Sequence, residues 1–98
     1  MQLEIITPDT KVFSGDATAV QFPGLDGLFQ VLNNHAPIIS SLKSGEVKVD
    51  LSAPIKADER EDLNAAVRVD DRNASLIYVS INGGVVEMSD NKIIVLAE

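Results

Sequence analysis

Phe22-Pro-Gly-Leu-Asp-Gly-Leu-Phe-Gln-Val-Leu-Asn-Asn-His-Ala-Pro-Ile-Ile-Ser-Ser-Leu42 reads as strand, tight turn, strand, turn and strand without a break. Pro23-Gly24 and Asp26-Gly27 supply the first turn. Proline cannot donate to a ladder, and Gly or Asp tolerates the positive φ of a tight hairpin. Leu28 to Leu32 is then the return strand. Asn33-Asn34 forms the second turn, since Asn enters the left-handed region readily, and Pro37 opens the strand Ile38 to Leu42.

The same two-residue period runs outward in both directions. Leu3, Ile5 and Thr7 alternate with Gln2 and Glu4 until Pro8-Asp9-Thr10 breaks the pattern. Lys11 to Phe22 is extended, with a bulge or bend expected at Gly15-Asp16. Glu46, Lys48 and Asp50 alternate with Val47, Val49 and Leu51, one face for water and one for a core. Leu76 to Ile81, Val85 to Met88 and Ile93 to Leu96 follow, separated by Asn82-Gly-Gly84 and Ser89-Asp-Asn91. Short strands at this spacing predict an all-β antiparallel sandwich or barrel. Ser52 to Ala74 is the exception, being highly charged with few apolar anchors. It is expected to be a loop or short helix insertion: either a helix near Asp58 to Ala66 with Asp58 as its cap, or an extension of a hairpin.

Ninety-eight residues, 45% hydrophobic and 23% charged, suit one domain with one core. With only 4% aromatics, that core is built from Val, Ile and Leu. A net charge of −7 argues against nucleic acid and against an anionic membrane surface, since both are bound through Lys and Arg. The absence of cysteine excludes disulfides and thiolate chemistry. No apolar run reaches transmembrane length, and no targeting segment is evident, so the chain reads as cytosolic, with any membrane association through another protein.

No catalytic or metal site emerges. His35 is the only histidine and has no second ligand at a metal-binding spacing, nor an oxyanion-type glycine turn beside Ser40 or Ser41. It reads as a turn residue in a contact surface. The acidic run at residues 58–62 lacks the alternating ligands and central Gly of a calcium loop. Gly83-Gly84 precedes a strand, so it marks a bulge or corner and not a phosphate cradle. One feature points outward. Leu28, Phe29, Val31, Leu32, Ile38 and Ile39 put apolar side chains on both faces of consecutive strands, where a sandwich needs only one. The second face is expected to meet a partner.

Leu3-Glu-Ile-Ile-Thr-Pro8, Val12-Phe-Ser-Gly-Asp16, Gly24 to Gly27, His35-Ala-Pro37, Gly83-Gly-Val-Val-Glu87 and Asn91 to Ala97 together resemble the epsilon subunit of rotary F-type ATP synthases. The resemblance implies a sandwich of about ten strands that holds the foot of the gamma subunit and sits on the ring of membrane c subunits. It implies a non-catalytic rotor subunit that couples proton transport to ATP synthesis, without cofactor or metal, peripheral on the cytoplasmic face of the bacterial inner membrane. By the same resemblance Gly27, Leu28 and Phe29 approach the c ring, and Thr7, His35, Ala36 and Ser40 lie toward gamma. Four departures stand out: Gln30 at a position often Gly, Asn33-Asn34 for a common Pro-Gly, Leu28 where some relatives carry a carboxylate, and the long connection Ser52 to Ala74. The helical hairpin that commonly follows the segment like Ile93-Ile-Val-Leu-Ala-Glu98 is expected to be absent. The rival readings are a free-standing sandwich that binds a ligand or carbohydrate, which the lack of Trp disfavours, and a small hydrolase using His35.

Overall fold

Alternation becomes strand wherever the sequence carries it. The computed structural model describes residues 1–98. It comprises β1 (Gln2–Ile6), β2 (Lys11–Gly24), β3 (Gly27–Leu32), β4 (Ile38–Leu51), β5 (Val67–Val69), β6 (Leu76–Ser89) and β7 (Lys92–Ala97). A single 3-10 turn at Arg60–Asp62 is the only helical element, and no helix is long and apolar enough to cross a membrane.

Hydrogen bonding follows the order β1-β7-β6-β4-β2-β3, and a β1–β2 pairing closes the ring. The three 14-residue strands β2, β4 and β6 each pass from one side of this closed sheet to the other. A first layer is formed by β3, residues 17–24 and 44–51, residues 76–82 and β5. A second is formed by residues 11–16, β1, β7, residues 84–89 and residues 38–42. Counted as two arms each, the long strands reconcile seven continuous strands with the sandwich of about ten that the family resemblance implies. Every pairing is antiparallel except β1 with β7, which run parallel.

Local chemistry explains the corners. Register slips between β2 and β4 at Ala17/Ala19 and Gln21/Gly24 bend β2, and Pro23 sits in the second slip, where a strand loses least by lacking an N–H. Asn82-Gly-Gly84 does not interrupt β6 as the sequence suggested; it turns the strand while pairing continues. Gly84 has φ +145, and a Cβ there would collide with the Leu96 carbonyl oxygen. The β2–β3 loop is only Leu25-Asp26, with Gly24 and Gly27 already paired across it. Asn34 (φ 63) takes the left-handed conformation foreseen for it. Asp90 (φ 52) and Asn91 (φ 59) make the two-residue turn between β6 and β7 with both φ positive, the geometry that matches strand twist.

Between the layers lies one apolar cluster of 20 buried residues, with Phe22, Leu3, Ile5, Ile77, Met88 and Ile93 the largest fully buried side chains. Both halves of each long strand contribute to it, so neither layer has a core of its own.

Residues 52–74 depart most from expectation. No α-helix forms at 58–66, and Asp58 caps nothing; Glu59 stands at the N-cap of the short turn without a side-chain cap bond. Instead the Glu59 carboxylate accepts from the Lys56 backbone N–H at 3.1 Å. The segment then adds β5 to the open edge of β6, with Ser80 N–H donating to the Ala66 carbonyl at 2.9 Å. Ile55, Leu63, Val67 and Val69 are partly buried and pack against the margin of the core, Val67 and Val69 beside the buried Val79 and Ile77. Four spaced apolar residues suffice to dock an extended chain on a free edge, and they lack the spacing for a helical stripe.

Candidate functional site: an apolar outer face and the hairpin beside it

Outward positions on the second layer line up in rows set by strand register. One row runs Ser41, Val85, Leu96, Ile6 across β4, β6, β7 and β1. The next runs Ile39, Glu87, Ile94, Glu4. Val85, Leu96 and Ile39 are 39%, 53% and 77% exposed, while Ile6 and Ile94 are half-buried between them. Directly opposed and diagonal side chains on one face are within reach of each other, so these five make one apolar surface, with Glu87 set between Ile39 and Ile94 and Glu4 at its margin. Glu4 is held at the margin by Lys11, Nζ to carboxylate 3.6 Å.

This surface continues into the β2–β3 hairpin tip. A cleft of about 560 Å³ is lined by Leu25, Gly27, Leu28, Phe29, Ile39 and Ser40 among its nine residues. Leu28 is 68% exposed and Leu25 is exposed beside it, whereas Phe29 is half-buried, its ring 5.4 Å from that of Phe22. Phe29 therefore supports the tip from beneath, and Leu25 is the apolar residue presented with Leu28. Of the other two-faced apolar positions, Leu32 is exposed, Val31 is buried and Ile38 is half-buried against the core.

The remaining sequence-selected residues surround this face, and not all of them point out of it. Thr7 lies just past the Ile6 end of the first row and is half-buried in a small turn, donating from its N–H to the Thr10 carbonyl at 2.9 Å. Ser40 is half-buried on β4 and faces the other way from Ile39 and Ser41, since its register partner is the buried Val86. His35 and Ala36 are exposed at the opposite end, in the turn that abuts the β6–β7 turn. The His35 ring donates from Nδ1 to the Ala36 carbonyl at 2.7 Å, and no hydroxyl or carboxylate pairs with the ring. Register puts the His35 turn beyond the Ile38–Met88–Ile93 level. Ser41, two rows away, is thus no nucleophile partner for it.

Leu25, Val85 and Leu96 escaped the sequence reading. A tip position between turn glycines signals Leu25. The Val85-Val86 pair, two apolar residues at adjacent and therefore opposite-facing positions, signals an apolar outer face.

A second cleft, of about 800 Å³, opens between residues 10–16 and residues 51–64. Its walls mix Val12, Leu51 and Ile55 with Lys11, Lys56 and Glu59. Asp16 at its rim accepts from the Ser52 hydroxyl, which holds its carboxyl below the usual aspartate range, with the Met1 amine 3.4 Å away adding to the effect. No buried side-chain polar atom lacks a partner anywhere in the protein, and no three His, Cys, Asp or Glu side chains gather as a metal site.

Comparison with known proteins meets this geometry. Residues 1–57 match the family described as ATP synthase, delta/epsilon chain, beta-sandwich domain. The ATP synthase epsilon chain of Chlorobium limicola is 41% identical over 97 residues, covering 99% of this chain and 88% of the relative. That of Chlorobaculum tepidum is 42% identical over 96 residues, covering 98% and 86%. The chain belongs to the epsilon-chain family of ATP synthases. Longer relatives exist: the chain matches 60% of the Campylobacter curvus epsilon chain, at 34% identity. In fold it resembles a chain in the cryo-EM structure of the Tetrahymena thermophila mitochondrial ATP synthase central stalk and c ring. The TM-score is 0.67 at 16% identity, covering 99% of this chain and 62% of that one.

Proposed function

We propose that the chain is a non-catalytic rotor subunit of an F-type ATP synthase that links the gamma subunit to the membrane c ring and so couples proton transport to ATP synthesis. Residues 1–98 act in this role as a single sandwich domain, peripheral on the cytoplasmic face of the bacterial inner membrane and without cofactor or direct lipid contact. The observation that carries the reading is the apolar outer face of the second layer, continuous with the exposed hairpin tip. Such a surface calls for a protein partner, and family membership supplies the assembly in which to seek it.

The hairpin tip, with Leu25, Gly27 and Leu28 outermost and Phe29 behind them, meets the c ring. Leu28 stands where a carboxylate would form a charged contact, so this chain makes an apolar one. The face bounded by Thr7 at one end and the His35-Ala36 turn at the other lies along gamma, with Ile39, Val85 and Leu96 as its apolar centre and the half-buried Ser40 backing Ile39 on the same strand. Association driven by this face relies on apolar burial, about 25 cal/mol per Å² removed from water.

Capture assays with purified gamma subunit and with purified c ring test the assignment. Ile39→Asp is expected to lose gamma while keeping the c ring, and Leu28→Asp the reverse. Full capture of both partners by both folded variants would overturn it.

A further inference from the structure

Two turns far apart in sequence are joined at the His35 end of the second layer. The Asn34 backbone N–H donates to the side-chain oxygen of Asn91, Oδ1, at 2.8 Å across 57 residues of chain. Asn34 (φ 63) and Asn91 (φ 59) are both left-handed, which brings an amide of one turn toward a side chain of the other. Asn91 is itself anchored, because its own carbonyl accepts from the Gln2 N–H at 3.1 Å, beside the β1–β7 pairing. The acceptor thus belongs to the framework and the donor to the loop.

Residues 33–37 are all exposed and have no strand partner. The His35 N–H closes the turn on the carbonyl of Leu32, the last residue of β3, at 3.2 Å, which ties the turn to its own strand and not to the β6–β7 end of the layer. The Met1 amine reaches Asn33 Oδ1 at 2.7 Å and tethers the first residue of the turn. The orientation of Asn34, and of the His35 backbone that follows it, is left to Asn91.

We propose that Asn91 is a positioning residue for partner binding: its side-chain oxygen holds the Asn34-His35-Ala36 turn in the conformation that meets gamma. This rests on the reading above that the His35 turn contacts gamma. Without the acceptor, water satisfies the Asn34 N–H, the turn samples other conformations, and affinity falls by the fraction of molecules still competent.

Asn91→Gly removes the oxygen while keeping a residue at ease with positive φ, so it tests the contact without straining the turn. Asn91→Asp keeps an acceptor at the same place and tolerates the same backbone, and serves as the conservative rescue. Two quantities are read on the full chain: hydrogen exchange of the Asn34 amide, and affinity for purified gamma subunit. Asn91→Gly is expected to speed Asn34 exchange about tenfold and to weaken gamma binding about three- to tenfold, the range one hydrogen bond spans. Asn91→Asp is expected to match the parent in both, and Asn91→Gly to add nothing further once His35→Ala and Asn34→Gly have removed the turn's contribution.

Unchanged Asn34 exchange in Asn91→Gly overturns the proposal. So does faster exchange with unchanged affinity while His35→Ala weakens binding, since the contact would then be real but not positioned by Asn91. If His35→Ala leaves affinity intact, the gamma assignment of the turn falls, and the role of Asn91 in partner binding falls with it.

Discussion

The two outer faces of the sandwich are built from the same three long strands and differ in chemistry at their centres. On the first layer the centre of the outward face is Glu46, Lys48, Asp50, Tyr78, Ser80 and Arg68, with Leu76 beside Asp50 and the exposed Leu28 and Leu32 on the edge strand β3; Arg68 lies 4.2 Å from the Tyr78 ring centroid and 3.4 Å from the Glu46 carboxylate. On the second layer Ile39, Val85, Ile94, Leu96 and Ile6 dominate the outward face, with Ser41, Glu87 and Glu4 among them. Core packing does not require this difference, because the inward residues of both layers belong to one cluster. A face that needs only water is furnished with charge. A face left apolar at a cost in solubility calls for a protein to cover it.

The deepest break comes from the shared interior. Phe22→Ala removes a fully buried ring that also supports Phe29 beneath the hairpin tip, and is expected to cost about 3–5 kcal/mol, read as a lower midpoint in urea unfolding. Both faces would be lost together, as one core demands. Replacing residues 56–71 with a short Gly-containing bridge removes β5 and the partly buried Leu63, Val67 and Val69, and is expected to cost about 2–4 kcal/mol by the same urea measurement. That exceeds what its charged sequence suggests, and it affects the polar face only: gamma binding by the folded variant should persist.

Changes on the apolar side should do the opposite. Leu28→Asp is expected to shift stability by no more than about 0.5 kcal/mol, because the tip is already in water, while reducing c-ring binding at least about tenfold in a capture titration. The smallest effect is electrostatic. Ser52→Ala removes the hydroxyl that lowers the Asp16 pKa, so an NMR titration should show that pKa rise toward the ordinary aspartate range. A carboxylate with a folded pKa below its unfolded value adds stability above the unfolded pKa and loses it as pH falls through the folded one. The variant should therefore lose the parent's extra stability at neutral pH and match it only in acid.

How far this contrast was legible depends on which physics each residue expresses. The alternation at Glu46–Leu51, the glycine corner at 83–84 and the left-handed Asn34 are local, and a chain of this composition declares them. Continuity was less visible: Asn82-Gly-Gly84 looks like a break in a strand, and only pairing with β4 shows it to be a bend. The parallel β1–β7 pair and the docking of β5 join residues by long-range contacts that no local period encodes. The apolar face was half seen. Leu28 and Ile39 were recognised within one stretch, but Val85 and Leu96 become their neighbours only through register between strands some forty or more residues apart. Asn91 was missed because a side chain capping a distant turn leaves no spacing to read.

Affinity for purified gamma subunit, compared between matched substitutions on the two faces, tests the central claim most directly. Val85→Asp with Leu96→Asp alters the apolar face, and Tyr78→Asp with Arg68→Asp alters the polar one, at paired outward positions in each case. The expected result is a loss of at least about a hundredfold for the first pair, as two apolar contacts become buried carboxylates, and a change within about twofold for the second. Equal affinities for the two folded double variants would contradict the assignment of the apolar face to the rotor.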